Sequence, residues 1–457
     1  MSQRNNYIKE NSDLLKFLIQ HRFYDVFKKD CEQNGRLNTS VEFIITPECN
    51  LECEYCYINK HKDKLYPKEI RSHEQILKNL EIILNYFNEN DIKPKSFDLF
   101  SGEIWGTEFA DKIFQLIYDY KVNNDTMLNF ICIPTNFTFV HNDKLFQNVE
   151  NWINKFKDVG IRVNLSASLD GFVVEDKVRP SKDALLIRDE NFYKKTFEFC
   201  KKYDYGFHPM ISPEAIEHWK ENFHWWNEML TKYEMNSNYI MYLEVRNDDW
   251  TTDKIKSYLE FLNYCIDYYH DVVYKYDEKL FIEEALDIPL PSRQHFYRNY
   301  INFKYSNLCS IPGCSIASTM FIRLGDLAIV PCHRTSYDRF NYGKFIVEND
   351  KIIDIEGSNV SLASEILMGN MANHPKCDTC SIKKFCLKGC LGAQFEANNE
   401  ILYPCESVCN LFKAKQKFLK YKYFTELKIF DKAKKIYKDD PAILNYLNTM
   451  EKNSEGI

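Results

Sequence analysis

Cys49, Cys53 and Cys56 stand at Cys-x3-Cys-x2-Cys, directly after the apolar run Val41–Ile45. Thiolates at this spacing on one tight loop are suited to holding metal. A [4Fe–4S] cluster has four irons and normally takes four thiolates. A loop that supplies three leaves one iron open, and an open metal position is where a substrate or cofactor binds. The competing reading of the triplet alone is a structural zinc loop. A second concentration, Cys309, Cys314, Cys332, Cys377, Cys380, Cys386, Cys390, Cys405 and Cys409, holds nine of the sixteen cysteines. Its central block, Cys377-x2-Cys380-x5-Cys386-x3-Cys390, also has ligand spacing, for which a zinc ribbon is the plain alternative. Clustering of this kind favours metal binding in a reducing compartment, hence the cytoplasm, over disulfides.

The elements that must position these loops read as α/β. Val41–Ile45 is expected to be a buried parallel strand. It places the first cysteine loop at its C-terminal end, where barrels and open α/β sheets carry their chemistry. Further strands are expected at Ser96–Phe100, Met127–Pro134, from Ile161 through Ala167, Tyr205–Ile211 and Tyr239–Val245, separated by helical apolar spacing such as Ile76, Leu80, Ile83 and Leu84. Strands alternating with helices predict a right-handed parallel barrel, incomplete at about six strands. Cys132 and Cys265 read as core thiols, and Glu244 and Asn247 as residues ending over the barrel cavity.

Three strand ends carry polar turns: Ser101-Gly102-Glu103-Ile104, Thr135-Asn136, and Ser166-Ala167-Ser168-Leu169-Asp170-Gly171. Gly102 allows close backbone approach, and Glu103 can accept charge-assisted hydrogen bonds. With the cysteine loop, its Asn50-Leu51 and its Tyr55, these turns resemble the radical S-adenosylmethionine (SAM) enzymes. Ser101 and Ile104 depart from that family's Gly-Gly-Glu-Pro turn. The resemblance implies that Cys49, Cys53 and Cys56 hold a [4Fe–4S] cluster whose open iron chelates SAM. It further implies SAM contacts from Tyr55, Ser101, Gly102, Glu103, Asn136, Ser166, Ser168 and Arg179, the last pairing with the SAM carboxylate.

The C-terminal cysteine pattern resembles the SPASM (twitch-type) extension of the same enzymes, with the hairpin from Phe321 to Cys332 lengthened by two residues between Gly325 and Cys332. By that resemblance two auxiliary [4Fe–4S] clusters are expected. Cys309, Cys314, Cys332 and Cys390 would hold one, and Cys377, Cys380, Cys386 and Cys409 the other, with Cys405 the competitor for the last place. His333 occupies the position of an aspartate that acts as base in sulfatase-maturing relatives. A histidine there can serve as base at neutral pH or can bond a cluster sulfur.

The expected domains are a helical lead (1–40), a radical-SAM partial (β/α)6 TIM-like barrel (41–245), a helical bridge (246–305), the SPASM domain (306–412) and a basic helical tail (413–457). The lead is too short for a leader-binding module, so such a module would be separate or replaced. The tail reads as an amphipathic helix with a solvated face or as a dock for an acidic peptide. A net charge of −7 argues against nucleic acid as the main partner. No run of apolar residues reaches membrane-spanning length, and the polar start has no signal-peptide core. The implied activity is peptide maturation. Hydrogen abstraction by a 5′-deoxyadenosyl radical would be followed by oxidation to a thioether or carbon–carbon crosslink, with a precursor peptide as substrate and a reductase, flavodoxin or ferredoxin as electron donor. A formylglycine-generating sulfatase maturase is the alternative within the class. A non-catalytic Fe–S carrier, which needs none of the strand-end turns, is the alternative outside it.

Overall fold

The computed structural model describes residues 40–457 apart from 106, 184–185, 236–238, 248, 291–302, 306–318, 360–361, 363–374, 387–389 and 402. The helical lead therefore lies outside the described residues, as do Cys309 and Cys314. In chain order the first elements are β1 (Ser40–Ile44), α1 (Tyr57–Leu65), α2 (His73–Glu89), β2 (Ser96–Phe100), α3 (Glu108–Asn123), β3 (Phe130–Thr135), α4 (Asp143–Asp158), β4 (Arg162–Ala167), α5 (Glu175–Val178) and α6 (Glu190–Tyr203). Next come β5 (Met210–Ile211), α7 (Trp219–Lys232), β6 (Leu243–Glu244), α8 (Thr252–Tyr268) and α9 (Glu278–Ala285). The last are β7 (Thr319–Arg323), β8 (Ala328–Val330), β9 (Gly343–Glu348), β10 (Lys351–Gly357), α10 (Pro375–Asp378), α11 (Leu391–Asn398), α12 (Glu406–Lys420), α13 (Ile429–Ile436) and α14 (Pro441–Ser454).

The chain divides into two compact units, each drawn from several stretches. The first comprises 1–168, 179–196 and 315–370. Its eight-stranded sheet runs β10-β9-β8-β7-β1-β2-β3-β4. β7, β1, β2, β3 and β4 are mutually parallel along that order, and β8 to β10 are antiparallel additions. β1 is buried along its whole length, as befits a strand with a neighbour on each side. In β2, β3 and β4 burial alternates. Phe97, Leu99, Ile131, Ile133, Val163 and Leu165 are buried, whereas Asp98, Phe100, Cys132, Asn164, Ser166 and Ser168 stay partly exposed. That period of two puts one face against packed side chains and opens the other.

The helices of this unit bury apolar side chains, those of α2 at the spacing expected from the sequence. α2 buries Ile76, Leu80, Ile83 and Phe87, α3 buries Ile113, Phe114 and Ile117, and α4 buries Val149, Trp152, Ile153 and Phe156. Each such side chain taken fully out of water contributes about 1.5–3 kcal/mol. Ser72, Thr107 and Asn142 cap these helices by accepting backbone N–H groups, each worth about 1 kcal/mol.

Residues 319–357 join this sheet, so the units divide the chain differently from the boundary expected at 306. β7 pairs with β1 in register, Ser40 opposite Thr319, and covers an edge whose backbone groups would otherwise be unpaired. Buried Arg323 secures the hairpin through both oxygens of Asp326 (2.9 and 2.7 Å) and through Asp338 (2.6 Å).

The second unit comprises 169–178, 197–314 and 371–457. Its two short strands, β5 and β6, are parallel. All six strands expected from the βα alternation are therefore present, four in the large sheet and two as this pair. The pivot is Asp170, fully buried. Its carboxylate accepts from Met210 N (2.8 Å), and its carbonyl accepts from Asn222 Nδ2 (2.7 Å) and Trp226 Nε1 (3.0 Å). Gly171 follows with φ +110°, and a Cβ there would sit 2.5 Å from both Asn222 Oδ1 and Trp226 Nε1. Glu244 forms a buried ion pair with Lys415 and accepts from Tyr258, so its side chain is committed within the unit. Asn247 bonds Asp249 at 2.6 Å.

Gly171→Ala combines backbone strain, about 1–3 kcal/mol, with overpacking, about 1–3 kcal/mol. The expected outcome is a loss of about 2–5 kcal/mol of stability, read by urea denaturation with tryptophan fluorescence.

Candidate functional site

The Cys49–Cys56 loop follows β1, as the sequence predicts, and leads into α1. Its first half is fixed by the turn after β2. Gly102 N donates to Thr46 O and Glu103 N donates to Glu48 O, both at 2.8 Å. A Cβ on Gly102 would lie 2.1 Å from Glu48 O and 2.9 Å from Pro47 O. The close approach this glycine allows is therefore to the cysteine loop's own backbone. The far side is held by Glu52 N on Pro180 O (2.8 Å) and by Lys182 Nζ on Cys49 O (3.1 Å).

Glu103 turns inward. Its carboxylate accepts from Asn136 N (2.7 Å), the Thr135 hydroxyl (3.0 Å) and Trp105 N (3.2 Å). Burial nevertheless prevails over these bonds and raises its carboxyl from 4.5 to about 7, with Arg179 pulling the other way. The Asn136 side chain donates to Asn50 Oδ1 (2.7 Å) and lies 3.9 Å from Cys49 Sγ. Burial, then Glu103, pushes the Cys49 thiol up to about 11, and the neighbouring Cys56 adds to this. Arg179 is buried and donates to the Tyr55 hydroxyl at 3.4 Å. Ser101 is buried. Ser166 and Ser168 are partly exposed on the open face, where Ser168 N bonds Thr135 O at 2.9 Å. Glu103, Asn136, Arg179, Tyr55 and the cysteine loop are thus brought together within the first unit.

The three loop thiols suit a cluster: they are outside any disulfide, partly exposed and on one short loop, and Cys56 stands at the N-cap of α1. Among the described residues no three His, Cys, Asp or Glu side chains converge closely enough to hold a single metal ion. Thiolates of a cubane ligate different irons and stand farther apart than ligands of one ion.

His333 belongs to the first unit. Its Nδ1 lies 2.6 Å from Glu42 Oε1, and its ring stacks on Phe100 at 3.9 Å and 4°. The Glu42 carboxylate orients the ring through Nδ1. Cys332 Sγ is 3.1 Å from the Thr335 hydroxyl. In the second unit Cys409 has Cys386 and Cys377 as neighbours. Burial, then those two thiols, raises its own to about 12. Cys405 is buried and lies 3.5 Å from the Ser407 hydroxyl. Cys380 and Cys390 are partly exposed, Cys390 at the start of α11.

Sequence reading missed Glu42 and Asp98, which face each other in register on β1 and β2. The available signal was a carboxylate inside each of two otherwise apolar strands. Cys132 lies in the same row, opposite Asp98. It accepts from Asn164 at 3.6 Å, and burial pushes its thiol up to about 12.

No family model matches the sequence, and no curated protein matches it. Solved structures do. Native anSMEcpe with bound AdoMet and Cp18Cys peptide matches with a TM-score of 0.52 at 16% identity, over 90% of this chain and 99% of that one. Native anSMEcpe with bound AdoMet matches with a TM-score of 0.53 at 15% identity, over 90% and 99%. Streptococcus suis SuiB bound to S-adenosylmethionine gives 0.41 at 13% identity, over 83% and 80%. The two anSMEcpe structures carry the comparison. This chain has their fold: a mixed α/β protein with a central, largely parallel sheet and a cysteine-rich C-terminal region. On that fold lie the cysteine loop and strand-end turns that resemble the radical-SAM/SPASM proteins.

The raised carboxyl of Glu103 has a measurable sign. Between pH 4.5 and about 7 the folded apoprotein binds a proton at Glu103 that the unfolded chain has released. Stability from this group is thus full below pH 4.5 and falls by about 3 kcal/mol as pH rises to about 7. Urea denaturation between pH 5 and 8 is expected to show this decline, and Glu103→Gln to remove that part of the slope.

Proposed function

We propose that this chain is a radical-SAM/SPASM enzyme that modifies a residue of a ribosomally made peptide or protein. The observation that carries the reading is the docking of the Gly102-Glu103 turn onto the cysteine loop, which gathers Glu103, Asn136 and Arg179 about Cys49. Cys49, Cys53 and Cys56 would hold a [4Fe–4S] cluster with one open iron. When bound, that cluster and SAM supply reductive cleavage of the sulfonium C–S bond and a 5′-deoxyadenosyl radical.

The chain's residues bind and orient. Glu103 accepts hydrogen bonds from the methionine ammonium. Its carboxyl, held near 7 by burial, gives up its proton when a cation arrives beside it. Arg179 offers a guanidinium to the methionine carboxylate. Ser166 and Ser168 present hydroxyls from the open face, while Tyr55 and Ser101 close the loop side. Asn136 ties Cys49 to Asn50 and so fixes the loop's orientation. His333, with Nδ1 held by Glu42, offers Nε2 as the base that takes a substrate proton.

Cys377, Cys380, Cys386 and Cys409 would hold one auxiliary cluster, and the neighbourhood of Cys409 with Cys377 and Cys386 supports that set over one ending in Cys405. Cys309, Cys314, Cys332 and Cys390 would hold the other. Fully ligated clusters suit electron passage. The net reaction proposed is loss of two hydrogens from the peptide to make a thioether or carbon–carbon crosslink. A flavodoxin, ferredoxin or reductase would supply the cleaving electron, and a separate protein would bind any leader.

Anaerobic reconstitution is expected to give about 12 iron atoms per chain for three cubanes, with deoxyadenosine formed only when reductant is present. Replacing Cys49, Cys53 and Cys56 together by Ala should leave about 8 iron atoms and no deoxyadenosine. Iron near zero, or no SAM cleavage by the loaded wild-type enzyme, would reject the reading.

A further inference from the structure

The turn after β3 meets the cysteine loop through a closed circuit of side-chain hydrogen bonds, and Thr138 is its middle member. Asn50 Nδ2 donates to the Thr138 hydroxyl, that hydroxyl donates to Asn136 Oδ1, and Asn136 Nδ2 donates back to Asn50 Oδ1, each at 2.7 Å. Asn136 Oδ1 also accepts from Thr138 N at 3.0 Å. The directions are fixed. A backbone N–H can only donate, so Asn136 must turn its oxygen to Thr138 and its NH2 to the cysteine loop. Asn136 and Thr138 are both buried, and a reversed amide would set donor against donor with no water to relieve it. The NH2 carries two hydrogens. One goes to Asn50, and Cys49 Sγ lies 3.9 Å from the same nitrogen.

The backbone is bent to close this circuit. Phe137, between its two members, has φ +61° and ψ +10°, the left-handed region that a bulky residue enters rarely. It is fully buried, with its ring 5.0 Å from that of Phe139, and its turn brings Thr138 back onto Asn136. Strain of this kind persists only where the surrounding structure holds it, and it gathers at functional sites.

Cys49 is the sulfur at which the amide is aimed. Its thiol can donate weakly to Asn50 Oδ1, 4.0 Å away, but a metal-bound thiolate has no proton and can only accept. Two N–H groups are in place for it, Leu51 N at 3.4 Å and Asn136 Nδ2 at 3.9 Å. Hydrogen bonds to the sulfurs are among the levers that set an iron–sulfur reduction potential. They favour the reduced state, which carries one more negative charge.

We propose that Thr138 is a positioning residue: it locks the Asn136 amide so that an N–H is given to the Cys49 thiolate, raising the reduction potential of the cluster on that loop. The inference rests on the function proposed above, because the thiolate accepts this bond in its metal-bound form.

The test is an anaerobic redox titration of the reconstituted full chain, followed by electron paramagnetic resonance. The signal of the loop cluster is the one missing from the chain with Cys49, Cys53 and Cys56 replaced by Ala. Thr138→Val keeps the shape of the side chain without its hydroxyl. It is expected to make reduction of that cluster about tenfold less favourable, a shift of about 59 mV to more negative potential, at wild-type iron content. Thr138→Ser is expected to restore the wild-type value. Asn136→Leu should lower the potential at least as far, and adding Thr138→Val to it should lower it no further, because the hydroxyl acts through the amide. Thr138→Ala carries the same expectation as Thr138→Val and replaces it if the valine variant takes up less iron. An unmoved potential in an iron-replete variant, a serine variant that stays low, or a double variant whose shifts add would overturn the proposal. Deoxyadenosine formed by the same wild-type preparation would then uphold the enzyme reading without it. A wild-type chain with no signal to assign to the loop would overturn both.

Discussion

Two backbone hydrogen bonds, from Gly102 to Thr46 and from Glu103 to Glu48, join the ends of the first two strands. They require the chain after β2 to pass so close to the cysteine loop that no side chain fits at 102. The loop is thereby fixed to the rim of the sheet, and the residue after the glycine is forced inward. Everything else near Cys49 follows: Glu103 meets the end of β3, Asn136 bridges to Asn50, and Arg179 returns on the outer side. Backbone contacts of this kind are insensitive to side-chain identity. That is why Ser101 and Ile104 can differ from the pattern the turn resembles while the geometry holds.

The same unit places three acidic groups where water is scarce. Glu103 and Asp98 are both raised to about 7, and Glu42 is buried against His333. Burying a carboxylate costs more than its hydrogen bonds return unless a positive partner compensates. The protein carries that cost beside the open face of the sheet. Other buried charges have charged partners, as at Arg323 with Asp326 and Asp338 and at Lys415 with Glu244.

Much of the architecture was legible because its signals are local. The apolar run before Cys49 is a strand, and Phe321–Cys332 forms a hairpin. Local patterning also misled at one strand end. Glu244 looked available at a strand end, but Lys415, 171 residues later, claims it.

Residue type and spacing alone determined that three thiols share one loop, that the loop follows a buried strand, and that a Gly-Glu turn and a serine-bearing strand end lie downstream. These depend on covalent neighbours and on periods of a few residues. Only the tertiary structure decided which strand ends touch, that β7 would return beside β1 and carry His333 to Glu42, and that Glu42 and Asp98 would stand side by side. Strand pairing brings together residues far apart in the chain. Its register depends on packing across both faces of the sheet, which no short stretch of sequence encodes.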